Sequence, residues 1–213
     1  MILYDYWRSS SAWRVRIALH FKGLAFERRV VNLSPEAREQ DAGGFATLNP
    51  LRQLPVFIPD GDTRHFTQSM AIIAFLEETY PTPPLLPADP WLRARARQLA
   101  EMVNSGTQPL QNLSVLDYAQ AAGADRNTWA RHFIARGLGA LEAAAQETAR
   151  TFLIGDAPTI ADLYLIPQLY NARRFSVDLS PLPTLVRVEA ACAALPAFIA
   201  AHADAQSDAV RAP

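Results

Sequence analysis

The sequence predicts an α/β domain followed by an all-helical domain, and three observations predict it. Five prolines fall within the ten residues from Pro81 to Pro90. Strand and helix signals alternate before that run. After it, residues 88–201 are rich in alanine, leucine and arginine and carry no comparable strand signal. Proline lacks the amide proton and fixes φ, so such a run cannot continue a helix and is expected to be extended. The domains are therefore expected at residues 1–83 and 88–213, with residues from about 203 to 213 frayed.

Within the first domain, Ile2 to Tyr6 reads as a buried strand. Trp13, Ile17 and Phe21 recur at helical spacing, and Gly23 supplies a C-terminal stop. Phe26 to Val31 reads as a second strand. Val56-Phe57-Ile58 and Arg64-His65-Phe66 follow as a hairpin joined through Pro59-Asp60-Gly61-Asp62. Ile72, Leu76 and Tyr80 form a helical stripe ended by Pro81. The order β-α-β, then β-β-α, makes a small mixed sheet with covering helices. In the second domain the best-defined helix start is Thr159-Ile160-Ala161-Asp162, where Thr159 caps and Asp162 reaches back to its amide.

Composition excludes several classes of function. Of 213 residues 50% are hydrophobic and 19% charged, with a net charge of −1. No basic excess exists to displace counterions from phosphates, so nucleic acid is not an expected partner. Arg93, Arg95 and Arg97 are read as one solvated helix face. The single cysteine, Cys192 among alanines, cannot form an internal disulfide and reads as a small buried hydrophobe in a reducing, cytoplasmic compartment. No signal peptide, membrane span or metal-ligand spacing is expected.

The candidate chemistry lies in three places. Arg8-Ser9-Ser10-Ser11-Ala12-Trp13-Arg14 sits between the first strand and first helix, where unpaired amides and the positive dipole end favour an anion such as a thiolate. Plain serine capping explains one of the three hydroxyls. In Arg52-Gln53-Leu54-Pro55-Val56, a proline enters a strand and leaves the Leu54 backbone free to bind a peptide-like ligand as an antiparallel strand would; a cis Leu54-Pro55 bond is expected. An edge-strand proline is the plain alternative. Thr67-Gln68-Ser69 starts a helix that Ser69 is expected to cap, with exposed amides able to hold a carboxylate. Together these elements describe a site for a small zwitterionic peptide bearing a thiol.

The segment from Ser9 to Leu19 resembles the signature of zeta-class glutathione transferases. So do Asn49-Pro50, Gln53-Leu54-Pro55, Gln68 to Ile73, Gln108 to Leu116, and Asn171-Ala172-Arg173-Arg174-Phe175. The resemblance spans Ile2 to about Pro196. It implies a glutathione transferase fold, with a thioredoxin-like N-terminal domain that binds glutathione, an all-α C-terminal domain that supplies the substrate pocket, and a homodimer. It places Ser9, Ser10, Ser11, Ala12, Trp13 and Arg14 around the glutathione sulfur, and Gln40, Gln53, Leu54, Gln68 and Ser69 along its backbone and γ-glutamyl end. Gln108, Asn112, Leu113 and Ser114 close the site, and Arg8 and Arg174 bind the carboxylate of a small dicarboxylic substrate. The implied activity is glutathione-dependent cis–trans isomerisation of maleylacetoacetate to fumarylacetoacetate, in aromatic amino-acid catabolism. Maleylpyruvate isomerisation, transferase or dehalogenase chemistry on α-halo acids, and a non-catalytic binding role are the rivals. One departure stands out: Ser11 occupies a position that is usually cysteine, which removes any mixed-disulfide chemistry there.

Overall fold

The computed structural model describes residues 1–210 and divides into two compact units. The first comprises Met1–Pro83 together with the stretch from Leu195 onward, and the second is Pro84–Ala194. The first boundary falls in the proline run. That run is not extended throughout, because Pro90 opens a helix at a position where a missing amide proton costs nothing, behind an Asp89 cap that accepts from the Leu92 amide at 2.8 Å.

In the first unit the chain runs β1 (Ile2–Asp5), α1 (Ser10–Phe21), β2 (Glu27–Val30), α2 (Gly43–Leu48), β3 (Val56–Ile58), β4 (Phe66–Thr67) and α3 (Ser69–Thr79). The strand order is β2-β1-β3-β4, with β1–β2 parallel and both β1–β3 and β3–β4 antiparallel. This is the expected mixed sheet, although β4 begins at Phe66 rather than Arg64. A parallel pair needs a crossover, and α1 supplies it. Leu3, Val15, Ile17, Leu19, Val56, Phe57, Ile72 and Leu76 are buried to within 1% and form the core. Gly23 ends α1 in the left-handed region, φ +66°, as expected from sequence.

The C-terminal boundary differs from the expected one. Helix α9 (Pro196–Ala201) packs on α1, and the Arg16 side chain donates to the Ala201 carbonyl at 3.2 Å. Residues 203–210 are not frayed either, since Ala203 is fully buried and Asp208 pairs with Arg28 at 2.9 Å. The alanine-rich tail reads as loose because its partners lie far away in sequence. Residues 211–213, also expected to fray, lie outside the described residues.

The second unit is helical, with α4 (Pro90–Asn104), α5 (Leu113–Ala121), α6 (Arg126–Ala145), α7 (Ile160–Arg174) and α8 (Pro183–Ala193), and a 3-10 turn at Gln108–Gln111 between α4 and α5. Helix α7 is buried along most of its length and packs against α4 and α8. The arginines of α4 do not share a face. Positions two apart on a helix lie about 200° apart, so Arg95 points away from Arg93 and Arg97 and reaches the Ala144 carbonyl at 2.6 Å. Cys192 is fully buried, and burial pushes its thiol far above the ordinary range. Among the described residues no helix is long and apolar enough to cross a membrane.

Candidate active site

Two helix N-termini of the first unit are joined by one buried side chain. Ser9 caps α1, accepting from the Ala12 amide at 3.3 Å, and the Trp13 amide makes the first intrahelical bond to the Ser9 carbonyl at 2.8 Å. The amides of Ser10 and Ser11 thus precede the helical ladder. No acidic residue occupies the first turn of either α1 or α3, so neither positive dipole end is compensated from within its own helix. Arg14, fully buried on α1, donates from Nη1 to Ser69 Oγ at 3.2 Å.

The serine cluster is unevenly accessible. Ser9 and Ser11 are half-buried, whereas Ser10 is buried. Ala12, Trp13 and Arg14, expected around a ligand sulfur, have their side chains in the core. They shape the segment from beneath, Arg14 through Ser69 and Trp13 through an edge contact with His202 at 5.0 Å. Arg8 is half-buried with its guanidinium 5.0 Å from the Trp7 ring centre.

At α3 the cap position belongs to Gln68 and not to Ser69, which is the first helical residue and is buried. Gln68 is exposed and held at φ +72°, a conformation rare for a side chain with a Cβ and a sign that the surroundings over-determine it. The Leu54–Pro55 bond is cis, as expected. The sheet ladder begins only at Val56, so the Leu54 backbone is not taken up by a strand partner. Gln53 is half-buried, and its carbonyl accepts from the Asn49 side-chain amide at 2.6 Å. Gln40 lies in a short 3-10 turn, and its buried Oε1 has no hydrogen-bond partner among the described residues.

In the second unit Gln108 opens the 3-10 turn, Asn112 is the α5 N-cap without a side-chain cap bond, and Leu113 and Ser114 begin that helix. Arg174 is exposed at the end of α7, its guanidinium 5.2 Å from the Phe175 ring centre. Arg173 is instead committed to a bidentate pair with Glu189, both contacts at 2.5 Å. Sequence reasoning missed the buried amide pair Gln111–Gln168, Nε2 to Oε1 at 2.5 Å. A polar residue in the otherwise apolar run of α7 was the available signal.

The fold and the first unit's site define a glutathione transferase type of protein: residues 8–79 match the family model described as the glutathione S-transferase N-terminal domain. Over 207 residues, 97% of this chain and 94% of the relative, the sequence is 46% identical to the maleylacetoacetate isomerase of Rattus norvegicus. It is 44% identical to a maleylpyruvate isomerase of Ralstonia sp, covering 98% of this chain and 99% of that one. A maleylacetoacetate isomerase of Anaeromyxobacter dehalogenans 2CP-1, solved with glutathione in its active site, is 56% identical with a TM-score of 0.89, covering 98% and 97% of the two chains. The same protein has also been solved with dicarboxyethyl glutathione and citrate in its active site. The chain belongs to the maleylacetoacetate isomerase family of zeta-class glutathione transferases.

Proposed function

We propose that this protein is a glutathione-dependent cis–trans isomerase converting maleylacetoacetate to fumarylacetoacetate in tyrosine and phenylalanine catabolism, acting in the cytoplasm as a homodimer. The near full-length identity to maleylacetoacetate isomerases carries the reading. The residues present fit glutathione. Gln40 offers a buried acceptor that a peptide N–H satisfies, Leu54 offers an unpaired backbone edge, and the α1 and α3 N-termini offer places for two anionic ends.

Glutathione held by these residues would supply a nucleophilic thiolate, whose reversible addition to and elimination from a conjugated alkene would let the former double bond rotate. Everything else falls to the chain. The first-turn amides of α1 and the Ser9 hydroxyl, whose proton is not used in capping, stabilise the sulfur anion. Ser10 shares this role from a more buried position. Ser11 flanks them without offering a competing thiol. Ser69 and Gln68 bind the γ-glutamyl end, with Arg14 fixing the Ser69 hydroxyl. Arg8 and Arg174 are planar donors suited to a substrate carboxylate and to charge that develops on the carbonyl oxygen. Gln108, Asn112, Leu113 and Ser114 contribute from the helical unit.

Maleylpyruvate is the second reading, favoured by the 44% identity to the Ralstonia enzyme. Both reactions return the thiol, whereas transferase or dehalogenase chemistry consumes it. Purified protein should therefore turn over either maleyl substrate with glutathione present and free thiol constant throughout. Thiol loss in step with product would refute an isomerase.

A further inference from the structure

The loop that carries Arg8 and Ser9 is gripped by groups remote from it in sequence. It joins β1 to α1, and one of its peptide units is held at both edges. The Trp7 amide donates to Asp208 Oδ2 at 3.0 Å, and the Tyr6 carbonyl of the same unit accepts from Arg16 Nη1 at 3.3 Å. A peptide unit is rigid and planar, so two such contacts fix its tilt. The next carbonyl, of Trp7, accepts from Arg16 Nη2 at 2.9 Å, and the Ser9 amide donates back to the Tyr6 carbonyl at 2.9 Å.

The gripping groups brace one another. Asp5 is fully buried and accepts from Arg16 Nη1 and from Arg28 Nε, both at 2.6 Å. Arg28 Nη2 then donates to Asp208 Oδ1 at 2.9 Å. Asp208 thus uses one oxygen to pair with Arg28 and the other to hold the loop, and its side chain is only 15% exposed. Asp5, Arg16 and Arg28 belong to the sheet and its first helix. Asp208 comes from the tail beyond α9.

We propose that Asp208 is a positioning residue for glutathione, a latch by which the C-terminal tail sets the loop at the thiol end of the site. The proposal rests on the glutathione reading above. If the Trp7 amide is released, the peptide unit can turn about the Tyr6 carbonyl, which Arg16 and the Ser9 amide still hold. Arg8 and the Ser9 cap follow it, since they are the next residues in the chain. The effect then falls on the thiolate and, through Arg8, on the substrate carboxylate, while Arg174 of the helical unit is untouched.

The test uses the full-length protein and its Asp208→Ala, Asp208→Asn and Arg28→Gln variants. Three quantities are read: glutathione Kd by calorimetry, the pKa of the bound thiol from thiolate absorbance, and KM for the maleyl substrate at saturating glutathione. Asp208→Ala should weaken glutathione about tenfold, as befits one lost charge-assisted hydrogen bond, and raise the thiol pKa. Asp208→Asn retains an acceptor for the Trp7 amide and should recover most of both. Arg28→Gln removes a brace but keeps the Asp208 oxygen that accepts from Trp7, so it should lose less glutathione affinity than Asp208→Ala, which keeps the test decisive even where Asp208→Ala folds poorly. A rise in substrate KM, carried by Arg8, should accompany the loss in Asp208→Ala and be largely restored in Asp208→Asn. Wild-type glutathione affinity and thiol pKa in Asp208→Ala, or an equal loss in all three variants, would overturn the latch. A wild-type protein that fails to bind glutathione would instead overturn the site itself.

Discussion

Asp162 shows how much one buried residue can carry. It is wholly buried and accepts from the Thr159 amide at 2.7 Å, the Thr159 hydroxyl at 3.1 Å and the Leu153 amide at 2.9 Å. Those bonds favour the carboxylate, but burial outweighs them and pushes the group up to about 6 from an ordinary 3.8. The native state therefore holds the proton more tightly than the unfolded chain does. Its contribution to stability is fully present below the unfolded value and is lost as pH rises through about 6. Asp162→Asn offers one acceptor oxygen where two are needed, so it destabilises at every pH. The difference in unfolding free energy between wild type and Asp162→Asn should be larger at mildly acid than at mildly alkaline pH, because only wild type gains a proton here. Denaturant melts of both proteins across that range would check this; a gap that shrank on acidification would contradict the assignment. The capping role was legible in the sequence, since Thr159 and Asp162 stand three residues apart. The bond to Leu153 was not, because nothing local marks a loop amide nine residues upstream.

At the scale of the element, α7 shows which parts of a site a sequence reveals. Its start follows from the capping box and its end from the paired arginines. Neighbours on a helix lie about 100° apart, so Arg173 and Arg174 cannot do the same work. The structure gives Arg173 a partner in Glu189 on α8, an outer ion pair with an Arg173 side chain 50% exposed. Arg173→Ala should cost no more than about 1 kcal/mol of stability and leave substrate KM unchanged. Arg174→Ala should raise KM for the dicarboxylic substrate, and lower kcat where the contact tightens as negative charge develops, with glutathione affinity unchanged. Steady-state kinetics of the two variants would decide; matching KM values would remove Arg174 from the site. The buried Gln111–Gln168 pair tethers the same helix to the turn that carries Gln108, across 57 residues of sequence. Gly137 on α6 serves that turn too, since a Cβ there would lie 2.1 Å from the Thr107 hydroxyl. Such approaches leave no periodic trace. Helix α2 escaped notice for a related reason, being six residues long with Phe45 its one buried residue.

Across the whole molecule, the alternation of strand and helix and the proline run located the first boundary, because each is a local pattern. The second boundary was hidden, because it depends on α9 and Asp208 finding α1 and Arg28 more than 150 residues away. A protein made of residues 1–83 alone would expose the face of α1 that α9 covers and strand Arg16 Nε and Arg28 Nη2 in a half-open interior. Such a fragment should lack a cooperative thermal transition, and joining residues 195–210 to it through a flexible linker should restore one. A cooperative melt of the 1–83 fragment unaided would show that the tail merely decorates a domain already complete.

That non-contiguous unit also inverts the usual order of synthesis. Domains ordinarily fold from the N-terminus as they leave the ribosome. Here the sheet-bearing unit must wait for residues 195–210, which follow the whole helical unit in the chain, while the helical unit, encoded as one unbroken stretch, has all its parts sooner. A nascent chain stalled just past Ala194 would present a finished helical unit attached to an unfinished sheet, with the loop between β1 and α1 still unpinned.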